Sequence, residues 1–288
     1  MTGRTGNFSN HHMDKTLILI VIYKARLEEC RAFRSLSENR AAITAPHEVV
    51  AYNNSPEVAQ EGDACRVVAG RGNDMLAKAY NAGLAIAREE GCGWLLLMDQ
   101  DTEFTAEYFR EASRFVADPD GCDAAVPSIV AGGKVASPTR YNPAVGPYLV
   151  ARPVLNPGRC EGFVTAFNSG AILRVSALEG LGGFNEEYPL DALDNWYFHH
   201  LCKAGHPILL LDCVLRQDLS LCNPESISPA RYKSVMNSAI RFAKSIGPLA
   251  LLGWKARAAA RCIVQLLSPR KRKLLPLTFK YLFVNELK

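Results

Sequence analysis

Two short apolar runs, each followed at once by polar residues, constrain the fold of this chain more than any other feature. Residues 16–23 and 94–98 are rich in Ile, Leu and Val. Continuous apolar runs of this length are typical of strands that are buried on both faces of a parallel sheet. A helix that crosses a bilayer needs about 20 apolar residues, so neither run spans a membrane. The sequence therefore predicts an α/β protein without a membrane-spanning segment.

Segments with helical periodicity separate the apolar runs. Residues 27–39 and 73–90 carry apolar side chains at helical spacing, and Gly91 ends the second pattern. The further predicted strands are 47–52, 125–127, 171–175 and 207–214. Alternation of strands and helices with short connections predicts a doubly wound, mostly parallel sheet.

Composition excludes several classes of protein. The chain has 288 residues, of which 48% are hydrophobic and 22% are charged, so it is neither collagen-like nor wholly disordered. Its nine cysteines are scattered and form no C-x-x-C pair, which argues against a zinc site and favours reduced thiols in a cytoplasm. Residues 1–13 are polar and are predicted to form a disordered tail, without the cleavage pattern of a signal peptide.

The net charge of +4 conceals two regions of opposite charge. Residues 229–288 hold 13 Lys or Arg and one acid, a charge of +12, whereas the rest holds 20 basic and 28 acidic residues, a charge of −8. A cationic segment on an acidic body predicts an anionic partner surface. Either an anionic membrane leaflet or nucleic acid would supply one.

The local pattern of the basic segment favours the membrane, and we predict no nucleic-acid partner. Arg257, Arg261 and Gln265 recur every four residues and share one helix face. The side chains on the opposite face are Leu252, Ala259, Ile263 and Leu266. Basic and apolar residues in this arrangement are typical of a helix that lies in the headgroup layer. The alternative is a helix that packs its apolar face on the catalytic domain and leaves its charges in water.

Two acids directly follow the third predicted strand. Ligands of doubly wound sheets sit beyond the carboxyl ends of the strands, where this chain has Lys24, the turn 53–55 and the segment Asp99-Gln100-Asp101. The neighbouring carboxylates repel each other unless a cation joins them, and Mg²⁺ commonly takes substrate phosphates as its other ligands. The alternative is a capped turn with two solvated acids.

Several segments, in order and spacing, resemble family 2 glycosyltransferases, and the resemblance covers roughly residues 16–220. The metal-binding segment of that family is similar to 94–102, and the Asp-Gln-Asp is closest to the rhamnosyltransferase-like branch. The other matching segments are 73–83, 167–171, 182–186 and 191–196. The resemblance implies a GT-A fold for residues 14–228, followed by a basic amphipathic helical segment at 229–288.

The resemblance also implies an activity: inverting transfer of a sugar from a nucleotide diphosphate to an acceptor hydroxyl. Asp99 and Asp101 would hold Mg²⁺ or Mn²⁺. Gln217 stands where relatives often carry a metal-binding histidine, and it or Asp218 would take that place. Asp194 is the first candidate for the general base and Asp191 the second; both are predicted to lie on one face of the first helical turn. Trp196 would stack on the acceptor sugar.

The resemblance assigns a larger set of residues to the nucleotide sugar. These are Lys24, Asn53, Asn54, Arg71, Asn73, Asn81, Asp99, Gln100, Ser169 and Gly170. Besides Gln217, three positions depart from the family pattern. Lys24 stands where a small or amide residue is usual, Asn53 where relatives commonly have an aspartate, and Met75 where they have a glycine. An amide can still hydrogen-bond a pyrimidine base but pairs no charge.

The expected role is synthesis of a bacterial surface polysaccharide at the cytoplasmic face of the membrane. The expected donor is dTDP-rhamnose, and the expected acceptor is a saccharide or a lipid-linked saccharide. A UDP-sugar donor and a non-catalytic nucleotide-sugar-binding partner are the alternatives. A nucleotidyltransferase would show a glycine-rich basic loop near the N-terminus, and residues 17–30 show none.

Overall fold

The computed structural model describes residues 14–60, 65–217 and 227–284, and the predicted tail 1–13 and the candidate Asp218 lie outside the described residues. The strands are β1 Thr16–Ile22, β2 His47–Asn53, β3 Arg66–Ala69, β4 Trp94–Asp99, β5 Ala124–Ala131, β6 Lys134–Ser137, β7 Thr139–Tyr141, β8 Ala151–Pro153, β9 Gly158–Arg159, β10 Phe163–Thr165, β11 Ile172–Arg174 and β12 Ile208–Arg216. The α-helices are α1 Arg31–Glu38, α2 Met75–Glu89, α3 Ala106–Ala117, α4 Val175–Gly180, α5 Leu193–Lys203, α6 Pro229–Ile246, α7 Pro248–Leu267 and α8 Leu275–Lys280.

A large mixed sheet organises the described residues. Its strand order is β3-β2-β1-β4-β11-β5-β12-β9, with β6 paired to β5. The longest pairings, of β1 with β2 and β4 and of β12 with β5, are parallel. Antiparallel β11 lies between β4 and β5. A smaller sheet has the order β10-β7-β8. The predicted α/β fold with a mostly parallel sheet is confirmed.

The two apolar runs form the centre of the sheet, as their composition predicted. Every residue of β1 is buried, and so are the first five of β4. One hydrophobic cluster covers each face of the sheet. β1 and β4 are neighbours and parallel, so their carboxyl ends meet at one edge and bring Tyr23 beside Gln100. That edge carries the candidate site.

The predicted helix 27–39 is interrupted. Leu27–Glu29 forms a 3-10 helix, and α1 begins only at Arg31. The cause is Cys30, whose backbone is extended (φ −72°, ψ 127°) and whose thiol is buried. The break turns the chain so that the amide of Ala32 can donate to the carbonyl of Gln100, 3.3 Å away.

The basic C-terminal segment is helical and is joined to the main core. α6 begins at Pro229 with the hydroxyl of Ser228 as its N-terminal cap, and its Phe242 is buried in the cluster that covers one face of the sheet. A separate cluster around Trp254 and Tyr281 holds α6, α7 and α8 together. In the described part of the chain, no helix combines the length and the apolar character needed to cross a bilayer.

α7 leaves part of its apolar surface uncovered. Its inward face is mixed, with Ala250, Trp254 and Ala258 buried beside Gln265. Arg257 donates to the carbonyl of Tyr148 but stays exposed, and Arg261 contacts the sulfur of Met236. The outward face of α7 is apolar, with Leu252 65%, Ile263 62% and Leu266 56% exposed. The face of Leu252, Ala259, Ile263 and Leu266 is thus exposed, whereas other apolar residues of α7 are packed.

Candidate active site

Asp99, Gln100 and Asp101 form a turn that is fixed from two sides. The side-chain amide of Gln100 accepts from the backbone nitrogen of Tyr23 (2.7 Å) and donates to its carbonyl (3.3 Å), which joins the ends of β1 and β4. Behind the turn, the hydroxyl of Ser169 donates to that of Thr102 at 2.8 Å, and both side chains are fully buried. The two acids are thus held at the mouth of the sheet by a rigid support.

The environments of the two acids differ. Asp99 is partly buried and Asp101 is exposed. Burial, followed by the charge of Asp101, raises the pKa of Asp99 to about 7, although it accepts hydrogen bonds from Tyr80 and Gln217. Because burial disfavours the charged form of Asp99, a nearby cation would stabilise its carboxylate.

Gln217 lies beside Asp99, directly after β12. Its side-chain nitrogen donates to Asp99, whereas its side-chain oxygen is buried and has no partner among the described residues. A buried acceptor without a donor is costly, and a cation would satisfy it. No group of three or more His, Cys, Asp or Glu side chains within 14–60, 65–217 and 227–284 has a metal-binding arrangement. The candidate oxygen donors at this edge are the carboxylates of Asp99 and Asp101 and the side-chain oxygen of Gln217.

Asp194 lies in the first turn of α5 and close to this edge. Burial, opposed by the backbone amide of Asn195 and reinforced by the charge of Asp191, raises the pKa of Asp194 to about 6. Its Oδ1 accepts from the backbone and side-chain nitrogens of Asn195, at 2.7 and 3.0 Å. The charge of Asp194 contributes to the raised pKa of Asp99, so the structure brings the two acids near each other.

Asp191 lies outside α5, which corrects the prediction that both acids share one helical turn. α5 begins at Leu193, after Ala192 in the left-handed conformation (φ 59°). Asp191 is ion-paired with Arg231 of α6 and accepts from the hydroxyl of Ser234 at 2.9 Å. Its contacts thus join the start of α5 to α6, whereas Asp194 faces open space.

That space is a cavity of about 700 Å³. Asp194 and Asn195 form part of its wall, and residues of α6, α7, β6, the small sheet and the loop 147–150 form most of the rest. Most of the lining is apolar, with Trp254 on one side. Among the titratable side chains of the lining are Asp194, Arg257 and Arg261. A large cavity that opens onto one carboxylate of raised pKa is typical of an acid–base site.

Asp101 lines a second cavity of about 350 Å³ on the other side of the turn. Glu29, Arg31 and Gln100 also line it. Lys24, just after β1, is exposed and has a positive φ of 51°. Its backbone N–H donates a hydrogen bond to the hydroxyl of Ser55 at 2.9 Å. Three cationic side chains, Lys24, Arg26 and Arg31, therefore lie between the end of β1 and the first residue of α1.

The asparagines at the end of β2 hold loops rather than project into open space. Asn53 accepts from Ser55 and donates to Val58, and Asn54 donates to the carbonyl of Met75 at 3.1 Å. Both side chains are buried. Met75 has a φ of 61°, which is strained for any residue but glycine. The glycine that the resemblance leads one to expect at this position would relieve that strain.

Arg71 and Asn73 lie on the loop before α2 and are exposed. The backbone nitrogen of Arg71 donates to the carboxylate of Asp74 at 3.0 Å, which also accepts from the hydroxyl of Tyr52 at 2.9 Å. The side chain of Asn73 accepts from the backbone of Met75 at 3.3 Å. This leaves the guanidinium of Arg71 at the exposed edge of the loop.

Asn81 supports the segment that precedes Asp191. Its side chain accepts from the backbone nitrogen of Phe184 (2.8 Å) and donates to its carbonyl (2.9 Å). The carbonyl of Pro189 also accepts from two amides in the first turn of α2. α2 and the segment before α5 are therefore fastened together.

Gly170 and Trp196 are packed against other residues of the protein. Gly170 is buried, with a φ of 79°, and an added Cβ would lie 2.9 Å from Pro127 and 3.1 Å from Tyr108. Trp196 stacks on His200, with ring centroids 4.3 Å apart, and is partly buried against the core. Neither residue lines the cavity at Asp194.

Sequence reasoning missed several residues at this site. Tyr80 and Tyr197 are fully buried, and the pKa of Tyr197 is raised first by burial and then by Asp194 and Asp99, so its ring lies close to both acids. Asn195 orients Asp194. In the sequence, the role of Asn195 was indicated only by its position next to a candidate base. The two tyrosines gave no signal, because they follow the ordinary periodicity of core residues.

The sheet, the acidic turn and the cavity define the chain as a protein of the GT-A glycosyltransferase fold. Two solved structures illustrate the similarity, each with a TM-score of 0.52. GalNAc-T7 with UDP, GalNAc and Mn²⁺ is 10% identical, and the alignment covers 80% of this chain and 48% of that chain. S. aureus TarS residues 1–349 with UDP is 15% identical, and the alignment covers 90% of this chain and 74% of that chain. The chain thus spans about half the length of GalNAc-T7.

Residues 47–182, nearly half of the chain, match the family model described as "Glycosyl transferase family 2". The match relates this part of the chain to that family, and the two solved structures relate its fold to theirs. A comparison with curated proteins found no match.

Proposed function

We propose that the chain is an inverting glycosyltransferase that moves a sugar from a nucleotide diphosphate to an acceptor hydroxyl. The observation that carries this proposal is the placement of Asp194: it lines the large cavity and yet lies near enough to Asp99 to raise the pKa of that acid. Inversion requires a base on the face of the sugar opposite the leaving group. Two neighbouring but separate acidic centres fit that requirement.

Asp99, Asp101 and Gln217 would hold the divalent cation, Mg²⁺ or Mn²⁺. Two carboxylates and one amide oxygen suit a cation that takes its remaining ligands from substrate phosphates and water. The unpartnered side-chain oxygen of Gln217 supports the assignment. When bound, such a cation stabilises the negative charge of the departing diphosphate.

Asp194 would accept the proton of the attacking hydroxyl. Asn195 fixes Oδ1 through two hydrogen bonds, which orients the carboxylate and limits its motion. A pKa of about 6 leaves the group ionised at neutral pH but makes it a better proton acceptor than an ordinary aspartate. Asp191, paired with Arg231, would act as a positioning residue that ties α5 to α6.

The donor side would lie around the second cavity and the loops after β1 and β2. Lys24, Arg31 and Arg71 are among the exposed or cavity-lining cations there, and phosphate oxygens are their natural partners. Asn53, Asn54 and Asn73 would shape the nucleotide pocket through the loops that they hold. By resemblance, we propose dTDP-rhamnose as the donor and a UDP-sugar as the alternative.

The expected pathway is assembly of a bacterial surface polysaccharide on a saccharide or lipid-linked acceptor. A second candidate is a non-catalytic nucleotide-sugar-binding partner, which is favoured by the small number of carboxylates at the metal position. Both candidates would bind the donor, but only the glycosyltransferase would transfer its sugar, so a measurement of turnover distinguishes them.

A thermal-shift panel tests the donor assignment. We expect dTDP-rhamnose to raise the melting temperature with Mn²⁺ or Mg²⁺ and to do so far less with EDTA, because a ligand that binds only the folded state stabilises it. UDP-glucose, UDP-galactofuranose and GDP-mannose are the comparison donors. A larger shift with a UDP-sugar would replace the rhamnose assignment, and no metal-dependent shift with any donor would contradict the proposed function.

We further propose that the chain works at the cytoplasmic surface of an anionic membrane. The outward face of α7 exposes Leu252, Ile263 and Leu266, and a run of four basic residues at 270–273 follows that helix. An apolar face beside a basic cluster fits a helix at the level of the headgroups. Phe279 and Phe283 are also more than half exposed and extend the apolar surface.

Vesicle binding tests this surface without disturbing the fold. We expect the triple variant Leu252→Gln, Ile263→Gln, Leu266→Gln to bind phosphatidylglycerol-containing vesicles at least about tenfold more weakly, because it removes apolar area that the bilayer would cover. The matched control replaces Leu155 and Val214, which are 66% and 50% exposed elsewhere, and should bind like the wild type. Equal sedimentation of the triple variant and the wild type would refute the membrane surface.

A further inference from the structure

α7 carries two arginines that face the same cavity as Asp194. Arg257 and Arg261 lie one helical turn apart on the inward face and line the 700 Å³ cavity. Arg257 donates to the carbonyl of Tyr148 at 2.8 Å, and Arg261 contacts the sulfur of Met236 at 3.4 Å. Neither forms an ion pair with a carboxylate among the described residues.

The two guanidinium groups share one wall of the cavity, with no carboxylate of the described residues paired to either. Arg257 is exposed and Arg261 is half-buried, so both can reach a ligand that enters from solvent. Burial, and then the charge of Arg261, lowers the pKa of Arg257, which reports the mutual repulsion of the two guanidinium groups. An anion between them would remove that repulsion, and guanidinium forks are well suited to phosphate oxygens.

The same arginines lie where two cavities meet. A neighbouring cavity of about 410 Å³ is lined by Arg257 and Arg261 as well, and by Lys271 and Val264. Val264 is 51% exposed and adjoins the outward apolar face of α7. The cavities therefore lead from Asp194, past the two arginines, toward the apolar surface of the same helix.

We infer that Arg257 and Arg261 bind a phosphate or diphosphate of the acceptor, whose hydroxyl lies at Asp194 and whose apolar portion leaves past Val264. The inference rests on the proposed function and specifies its acceptor: an amphiphile with a sugar, an anionic ester and a hydrocarbon chain in that order. An apolar outer face and a cationic inner face on one helix would place the arginines just below the surface of a bilayer, at the depth of lipid phosphates.

Binding of geranyl diphosphate to the full chain in EDTA, measured by titration calorimetry, tests the inference without requiring turnover. We expect the wild type to bind it, and Arg257→Gln and Arg261→Gln each to bind about tenfold more weakly, since each removes a charge-assisted hydrogen bond. Geraniol, which lacks the anion, should bind weakly and equally to all three proteins. Lys255→Gln, on the same helix but outside both cavities, is the matched control and should match the wild type.

Four results would overturn the inference. They are no binding by the wild type, wild-type affinity in both arginine variants, displacement of geranyl diphosphate by dTDP or UDP, which would assign it to the donor side, and weaker vesicle binding by the arginine variants. Circular dichroism checks the fold, and Arg261→Gln with Arg257→Lys carries the test if Arg257→Gln unfolds. Binding to phosphatidylglycerol vesicles should be unchanged in the arginine variants, and its loss would assign the arginines to bulk lipid headgroups instead. If geranyl diphosphate binds as expected but no donor is turned over, the arginines still form a site for an anionic amphiphile, while its role as an acceptor and the proposed function both fail.

Discussion

Replacement of Asp101 by alanine is expected to lower kcat/KM for sugar transfer by about 10³-fold or more. Asp101 would be one of the two carboxylates that hold the cation, and loss of its charge stabilisation costs several kcal/mol in the transition state. The side chain is exposed, so its removal should leave the free energy of unfolding nearly unchanged. Initial rates with the donor that the thermal-shift panel selects give the measurement.

The neighbouring acid Glu103 provides the matched control for this experiment. It is equally exposed and lies two residues further along the chain, outside the cavity that Asp101 lines. Glu103→Ala should retain the wild-type rate and the wild-type metal dependence. Full activity in Asp101→Ala would remove the metal role from the acidic turn.

Replacement of Asp194 by asparagine is expected to lower kcat by about 10²- to 10⁴-fold, the usual contribution of a general base. The metal-dependent thermal shift by the donor should persist, because Asp194 is not among the residues that would hold the cation. The wild-type rate should fall as the pH drops through about 6, because the base must be ionised. A full pH profile of kcat/KM for the wild type completes the measurement.

The same substitution should stabilise the protein at neutral pH. The folded pKa of Asp194, about 6, lies above its ordinary value, so the folded state holds this proton more tightly than the unfolded state does. Stability is therefore lost as the pH rises from about 4 to 6 and stays lost above that. Asp194→Asn removes a penalty of about 1–2 kcal/mol, discounted for partial exposure, which should raise the melting temperature at pH 7.5.

Glu187→Gln is the control for both effects. Glu187 is an exposed acid on the segment before α5, and its replacement should change neither rate nor melting temperature. Wild-type kcat in Asp194→Asn would show that the base lies elsewhere. A lower melting temperature in Asp194→Asn at pH 7.5 would mean that the carboxylate supports the fold rather than strains it.

The central sheet could be predicted because its signal is local. Residues 16–23 and 94–98 are apolar without interruption, and such runs have few alternatives to a doubly buried strand. α3 was not predicted, although Thr105 caps it and its apolar spacing is regular. The strands around residues 134–165 could not be predicted, since they are two to four residues long and depend on pairing with distant segments.

The candidate site was predictable in position but not in detail. Acids after a buried strand point to the carboxyl edge of the sheet, and Asp99 and Asp101 lie there. The interruption before Leu193 was not predictable, because a left-handed Ala192 has no sequence signature. The partners of Asn81 and Asp191 lie 103 and 40 residues away, respectively, so only the folded chain reveals that these side chains hold the segment before α5 in place.

The orientation of α7 has a consequence for anyone who modifies this chain. On most surface helices the outward residues are the safe ones to change, and leucines there are routinely exchanged for lysine or glutamate to improve solubility. On α7 that practice would alter the face that we assign to the bilayer, while the inward residues include the cationic pair. Substitutions on either face of α7 would therefore affect a proposed binding surface. A solubility redesign should begin instead at isolated exposed positions such as Leu155.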